Sequence, residues 1–222
     1  GAMKSGTTSL FKYLEYQDEI CFPPIKEPEY FSVKMGLKKY KNGYYFDLFN
    51  IEQNHDYTLD ASVGYSKYPT ESGVPKRIYD YGLKPKFIYI VRNPFDRIES
   101  HYNFMKQNVN WNCKITSEHL INVSNYNLQL KQYERYFNKK DILVVDFDKL
   151  KLNPELILNE VIDFLSLAQL HDINYTIKKN VTKPKNRNEL VIKNYLVKKI
   201  NFLPKDYIKI GGKIISLFFQ KK

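Results

Sequence analysis

The sequence predicts an α/β fold of three layers, a mainly parallel sheet flanked by helices, and three observations carry that expectation. Short apolar runs of strand length alternate with stretches of helical periodicity. Two of the helical stretches open on an Asn-Pro pair, a strong start signal. No repeat or low-complexity linker divides the 222 residues, so one domain over 1–222 is the simplest organisation.

Taken in order, the small and hydroxyl-rich GAMKSGTTS gives way to Leu10, Phe11 and Leu14, the apolar face of a first helix. Residues 57–61 (YTLDA), 86–91 (KFIYIV) and 141–147 (DILVVDF) are apolar enough for buried parallel strands. After the second of these, Asn93 caps a helix and Pro94 takes its first position, with Phe95, Ile98, Tyr102 and Met105 at the spacing of an inner face. Asn153-Pro154-Glu155 repeats the signal, and Leu158, Val161, Ile162 and Leu165 share one side of the helix that follows. Between the two, 118–137 reads as one long helix. Residues 167–188 form a polar stretch rich in Lys and Asn, and 189–222 reads as a basic helical tail broken at Pro204 and Gly211-Gly212.

Composition narrows the function classes less than the motifs do. Lys plus Arg number 35 against 24 Asp plus Glu, a net charge of +11 that suits an anionic partner: nucleic acid, a phosphorylated cofactor, an acidic glycan or a lipid headgroup. A solvated Lys-rich surface gives the same number. With only Cys21 and Cys113 there is no disulfide framework and no C-x-x-C pair, and the four histidines show no metal-ligand spacing, so the expectation is a metal-free mechanism. No apolar run reaches the roughly 18 residues of a membrane span, and the first ten residues are small and polar. These features lead to the expectation of a cytoplasmic, reducing compartment.

The amino-terminal segment has the chemistry of an anion site. Lys4, Ser5, Gly6, Thr7, Thr8 and Ser9 combine a point charge, hydroxyl donors and a glycine at the start of a helix, whose first N–H groups have no intrahelical partner. An ATP-type Walker loop needs lysine directly after its second glycine; here Thr7 follows Gly6 and the lysine precedes it by two residues. A buried strand ordinarily leads into such a loop, and Gly1 already lies inside it. The second anion site is in IYIVRNPFDRIESHY, which places Arg92 at the carboxyl end of a strand and Ser100 about two turns into the next helix. A guanidinium holds phosphate bidentately and keeps its charge. Asp96 and Arg97 read as surface or helix-anchoring charges. Two anion sites at one crevice suggest a nucleotide phosphorylated at both ends.

Lys4-Ser5-Gly6-Thr7-Thr8 resembles the 5'-phosphosulfate loop (K-x-G-T-T) of sulfotransferases that use 3'-phosphoadenosine 5'-phosphosulfate (PAPS). Arg92-Asn93-Pro94-x-x-Arg97-x-x-Ser100-x-Tyr102 is similar to their 3'-phosphate motif. The likeness runs toward the heparan-sulfate-type and related bacterial enzymes through Lys26-Glu27-Pro28-Glu29-Tyr30-Phe31, Leu59-Asp60-Ala61-Ser62-Val63-Gly64-Tyr65 and a basic segment, NVTKPKNR, over 180–187. The resemblance implies a P-loop-like sulfotransferase fold and in-line transfer of a sulfuryl group from PAPS to a hydroxyl or amine of a glycan or small-metabolite acceptor. It implies cofactor contacts at Lys4, Ser5, Gly6, Thr7, Thr8, Ser9, Arg92 and Ser100, and at Lys183, Lys185 and Arg187 in the basic segment. Glu29, Tyr30, Phe31, Asp60 and Tyr65 would face the acceptor. For catalysis it implies Lys4 as charge clamp and Glu27 as general base, with His101 the second candidate for the base because an imidazole titrates near neutrality. Ala61 and Glu29 depart from the animal heparan pattern, where lysine and often histidine stand. Other readings stay open: a nucleic-acid-binding module, an inactive nucleotide-binding relative, and a tail whose 207–222 segment either lies on a membrane surface or packs on its own domain.

Overall fold

The structure is a computed structural model and describes residues 1–37, 42–109, 111–170 and 173–175. Its centre is two pairs of parallel strands. β1 (Ile20–Cys21) pairs with β2 (Tyr57–Thr58), and β3 (Phe87–Val91) pairs with β4 (Ile142–Asp146) in a register that runs from Phe87 opposite Ile142 to Val91 opposite Asp146. Among the described residues seven helices surround them: α1 (Thr7–Leu14), α2 (Val74–Asp80), α3 (Pro94–Asn108), α4 (Glu118–Ser124), α5 (Tyr126–Tyr133), α6 (Phe147–Leu152) and α7 (Pro154–Leu165).

Three layers follow from the period-two alternation of the strands. Tyr89, Val91 and Ile142 point to a core shared with Val74 and Ile78 of α2 and Leu130 of α5. Ile90 and Val145 point the other way, against Leu10 and Leu14 of α1 and Leu158, Val161 and Ile162 of α7. Helix α7 is the expected one: Asn153 accepts from the Leu156 N–H, Pro154 follows the cap, and Leu158, Val161 and Ile162 are fully buried.

Five expectations are refined. The sheet is split into two pairs, with a slot of about 200 Å³ between Thr58–Asp60 on one side and Ile88–Ile90 on the other. The chain at Ala2 enters beside β3, its N–H donating to the Ile90 carbonyl at 3.3 Å. β2 stops at Thr58 instead of running to Ala61, because the Asp60 carboxylate accepts the Ser62 N–H at 2.9 Å and turns the chain. The helix expected over 118–137 breaks at Asn125, whose side chain accepts the Leu128 N–H and starts α5 anew. In α3 the buried face holds Arg97 and His101 with Ile98, while Tyr102 and Met105 are only partly covered. The basic segment carrying Lys183, Lys185 and Arg187, and the tail over 189–222, lie outside the described residues.

Candidate active site

After Ala2 the chain turns through Lys4 at φ 68° and Gly6 at φ 82° into α1. Glycine is required at 6 on two counts. The left-handed backbone disfavours a side chain, and a Cβ there would lie 2.5 Å from Cδ2 of Phe147. The Ser9 and Leu10 amides return to the Gly6 carbonyl at 3.0 and 3.2 Å. The amides before them open the helix, where N–H groups lack intrahelical acceptors and the dipole is positive. The first turn of α1 carries no acidic residue. Ser5 is fully buried, and its hydroxyl has no hydrogen-bond partner among the described residues. Burial is the main cause of a lowered Lys4 pKa, and the charge of Arg92 adds to it.

Arg92 closes the same site from the carboxyl end of β3. Its Nη1 donates to the Lys4 carbonyl at 3.2 Å, and its guanidinium lies 5.0 Å over the Phe147 ring. The Tyr126 hydroxyl grips the backbone here, accepting the Arg92 N–H at 3.3 Å and donating to the Arg92 carbonyl at 2.8 Å. Arg92 Nε is buried without a hydrogen-bond partner among the described residues. No ion pair among the described residues involves Lys4 or Arg92. Two cations, two orphaned donors and a helix amino terminus form a donor set that fits a polyanion. Ser100 sits half-buried on α3, two turns further on.

The acceptor-side residues divide. Glu27 is partly exposed and pairs with Lys26 at 2.6 Å. Glu29, in contrast, is buried at φ 55°, its carboxylate accepting the Gly64 N–H at 2.7 Å and the Ser32 hydroxyl, while its own N–H donates to Ser62 Oγ at 2.8 Å. Burial raises its pKa. Asp60 accepts the Tyr65 hydroxyl at 2.7 Å, and that hydroxyl accepts the Phe31 N–H at 3.1 Å. Phe31 is buried among Tyr30, Tyr45 and Tyr81, and the Tyr30 hydroxyl donates to the Gly43 carbonyl. Glu29, Phe31, Asp60 and Tyr65, expected to face an acceptor, also knit the 27–32 loop to the 60–66 turn, and Phe31, Asp60 and Tyr65 line the slot between the strand pairs.

The family model of the sulfotransferase domain matches residues 1–207. The chain belongs to the sulfotransferase family.

Known sulfotransferases resemble it at modest identity. It is 24% identical over 216 residues to a bifunctional heparan sulfate N-deacetylase/N-sulfotransferase of Drosophila melanogaster, covering 82% of this chain and 20% of that protein. It is 25% identical over 192 residues to the enzyme numbered 4 of that description from Mus musculus, covering 76% and 22%. A membrane-associated sulfotransferase of Dictyostelium discoideum is 29% identical over 127 residues, covering 54% and 26%. The sulfotransferase chain thus spans about a fifth to a quarter of the length of these relatives. Its fold matches the crystal structure of a sulfotransferase from Alicyclobacillus acidocaldarius with TM-score 0.67 and 24% identity, over 81% of this chain and 84% of that one.

Within the chain, α3 brings one more pair together, Arg97, read as a surface or helix-anchoring charge, and His101, the second candidate for the base. Arg97 is fully buried and bonded to neutral groups only, so it anchors the helix and is no surface charge. His101, one turn on, is buried too; desolvation first, then the charge of Arg97, lowers its pKa to about 2. A ring whose proton affinity is lowered by burial and by the charge of Arg97 is a weak proton acceptor, which counts against His101 as the base. The signal available in the sequence was the spacing of Arg97 and His101 around Ile98, one turn apart on a single face. Lys67 had no sequence signal; it is buried, with its ammonium 3.3 Å from the Met35 sulfur. Among the described residues no group of His, Cys, Asp and Glu is placed to hold a metal ion, and no helix is long and apolar enough to cross a membrane.

Proposed function

We propose that the chain transfers a sulfuryl group from PAPS to a hydroxyl or amine of a glycan or small-metabolite acceptor. One observation carries this reading: Arg92 donates to the carbonyl of Lys4, so the grips for the two anionic ends of one nucleotide share a single site. When bound, PAPS supplies an electrophilic sulfur and a phosphate leaving group. The amides of Gly6, Thr7 and Thr8, with the α1 dipole behind them, hold the 5'-phosphate. Lys4 stabilises the charge that grows on the bridging oxygen as the sulfur–oxygen bond breaks, which is the kind of preorganised electrostatic help that dominates such reactions. Arg92, with Ser100, holds the 3'-phosphate, and its stacking on Phe147 fixes the plane of the guanidinium.

Glu27 takes the proton of the acceptor as its oxygen or nitrogen bonds to sulfur. It is the carboxylate of the 27–31 segment whose one partner, Lys26, is itself partly exposed and so can be exchanged for substrate. Glu29 beside it is locked by the Gly64 amide and the Ser32 hydroxyl. A glycan acceptor is the class that heparan sulfate relatives favour, with Ala61 and the locked Glu29 setting this chain apart from them.

Calorimetric titration of adenosine 3',5'-bisphosphate against ADP tests the reading. Preference for the bisphosphate that disappears in Arg92→Ala supports it. Equal affinity for the two nucleotides in the native chain overturns it.

A further inference from the structure

Among the described residues Arg97 is the largest side chain with no exposed surface, and the transfer reaction gives it no direct task. Its guanidinium makes four contacts. Nε donates to Ser124 Oγ at 2.6 Å, Nη2 to the Leu120 carbonyl at 2.7 Å, and Nη1 to the Met3 carbonyl at 3.4 Å and to His101 Nδ1 at 3.1 Å. Every acceptor is neutral. A buried guanidinium is costly to desolvate and is ordinarily matched by a carboxylate. Here the charge is left uncompensated next to the residue that precedes Lys4.

The contact with His101 decides a tautomer. A guanidinium has five N–H donors and no acceptor, so Nδ1 must offer its lone pair and the one proton of the neutral ring must sit on Nε2. A second proton on Nδ1 would break the contact. It would also add charge where Arg97 of α3 and His119 of α4 already face the ring, with Lys67 and Lys4 on the loops opposite. His119 is held in turn, its Nδ1 2.9 Å from the Thr70 hydroxyl and its ring against Trp111.

We propose that Arg97 is a positioning residue for the phosphate-binding loop: one buried, unpaired guanidinium ties Met3 to the Leu120–Ser124 turn of α4 and locks His101 as its Nε2–H tautomer. The loop is thereby fixed before ligand arrives, and a permanent positive charge lies under the position where a nucleotide phosphate is held. The function of this charge rests on the bisphosphate reading above; the tautomer does not.

Two measurements keep these apart. Nitrogen-15 spectra of the histidine rings in the native chain should show His101 with a bare Nδ1 and a protonated Nε2, unchanged from pH 5 to pH 9. A His101 that titrates within that interval, or carries its proton on Nδ1, overturns the proposal whatever the protein binds. Calorimetry with adenosine 3',5'-bisphosphate then compares Arg97→Met with Arg97→Lys. The neutral variant should lose about 10–100-fold in affinity, the range typical when a residue that supports ligand contacts without making them is removed, while lysine, which keeps the charge, recovers part of the loss. Native affinity in Arg97→Met overturns the charge role. Equal losses in the two variants leave only mechanical anchoring and overturn it as well. If Arg92→Ala also leaves binding untouched, the bisphosphate reading itself is at fault.

Discussion

Replacing Gly6 by alanine strikes the backbone and the site together, and its cost can be built from the structure. The left-handed conformation at φ 82° costs an L-residue about 1–2 kcal/mol. The new Cβ would also stand 2.5 Å from Cδ2 and 2.7 Å from Cε2 of Phe147, with Leu150 close behind, and such overpacking costs about 1–3 kcal/mol. A total near 3 kcal/mol lowers the melting temperature of a chain this size by about 6–12 °C. Gly82 is the internal control: φ is 85° and nothing lies within 4 Å of an added Cβ, so Gly82→Ala carries the backbone cost alone. Urea unfolding should therefore show Gly6→Ala losing about 1–3 kcal/mol more than Gly82→Ala. Adding Phe147→Ala should close part of that gap. Pushing the Phe147 ring also moves the platform under Arg92, so Gly6→Ala should weaken adenosine 3',5'-bisphosphate while Gly82→Ala should not. Equal destabilisation by the two alanines would refute the claim that Phe147 limits this turn.

Glu27→Gln should lower turnover by about 10²–10⁴-fold in a sulfuryl-transfer assay with bisphosphate affinity retained; full activity would remove Glu27 from the proton transfer. His101 at about 2 and His119 at about 4 both lie below the ordinary 6.5, chiefly through burial. The unfolded chain therefore binds more protons as pH falls below about 6.5, and stability that is complete above that value should drop by up to about 1.4 kcal/mol per pH unit for each histidine, a trend that urea titrations at pH 4 to 7 would show. Leu158→Ala, at a fully buried position of α7, should cost about 2–5 kcal/mol by the same assay. Tyr65→Phe removes the hydroxyl that serves Asp60 and Phe31 and should cost about 1–3 kcal/mol while raising the Michaelis constant for acceptor; an unchanged constant would show that the 27–32 loop does not shape acceptor binding.

Local chemistry made much of this legible. Asn93-Pro94 and Asn153-Pro154 start helices because an Asx cap and a fixed proline φ act within four residues. β3 and β4 could be read because both faces are covered, which demands an unbroken apolar run. β1, only Ile20–Cys21, carries too short a pattern to read, and the ends of β2 and of the helix before Asn125 turned on single side chains, Asp60 and Asn125, that bond their own backbone. The acceptor side was the least legible. Glu27 and Glu29 are two residues apart with the same functional group, and only the Gly64 amide and the Ser32 hydroxyl distinguish the locked carboxylate from the available one.

The sequence by itself determined the layered α/β order, the family, and the two motifs proposed to hold the nucleotide, since each depends on residue types at short, fixed spacing. Tertiary structure decided that the sheet is two strand pairs and that Arg92 reaches the Lys4 carbonyl across 88 positions. It also decided that Arg97 and His101 are inside. Burial and the partners it brings are long-range properties: the same arginine on the same helical face is a surface charge in water and a buried cation without a carboxylate partner beside the Met3 carbonyl once α4 closes over it.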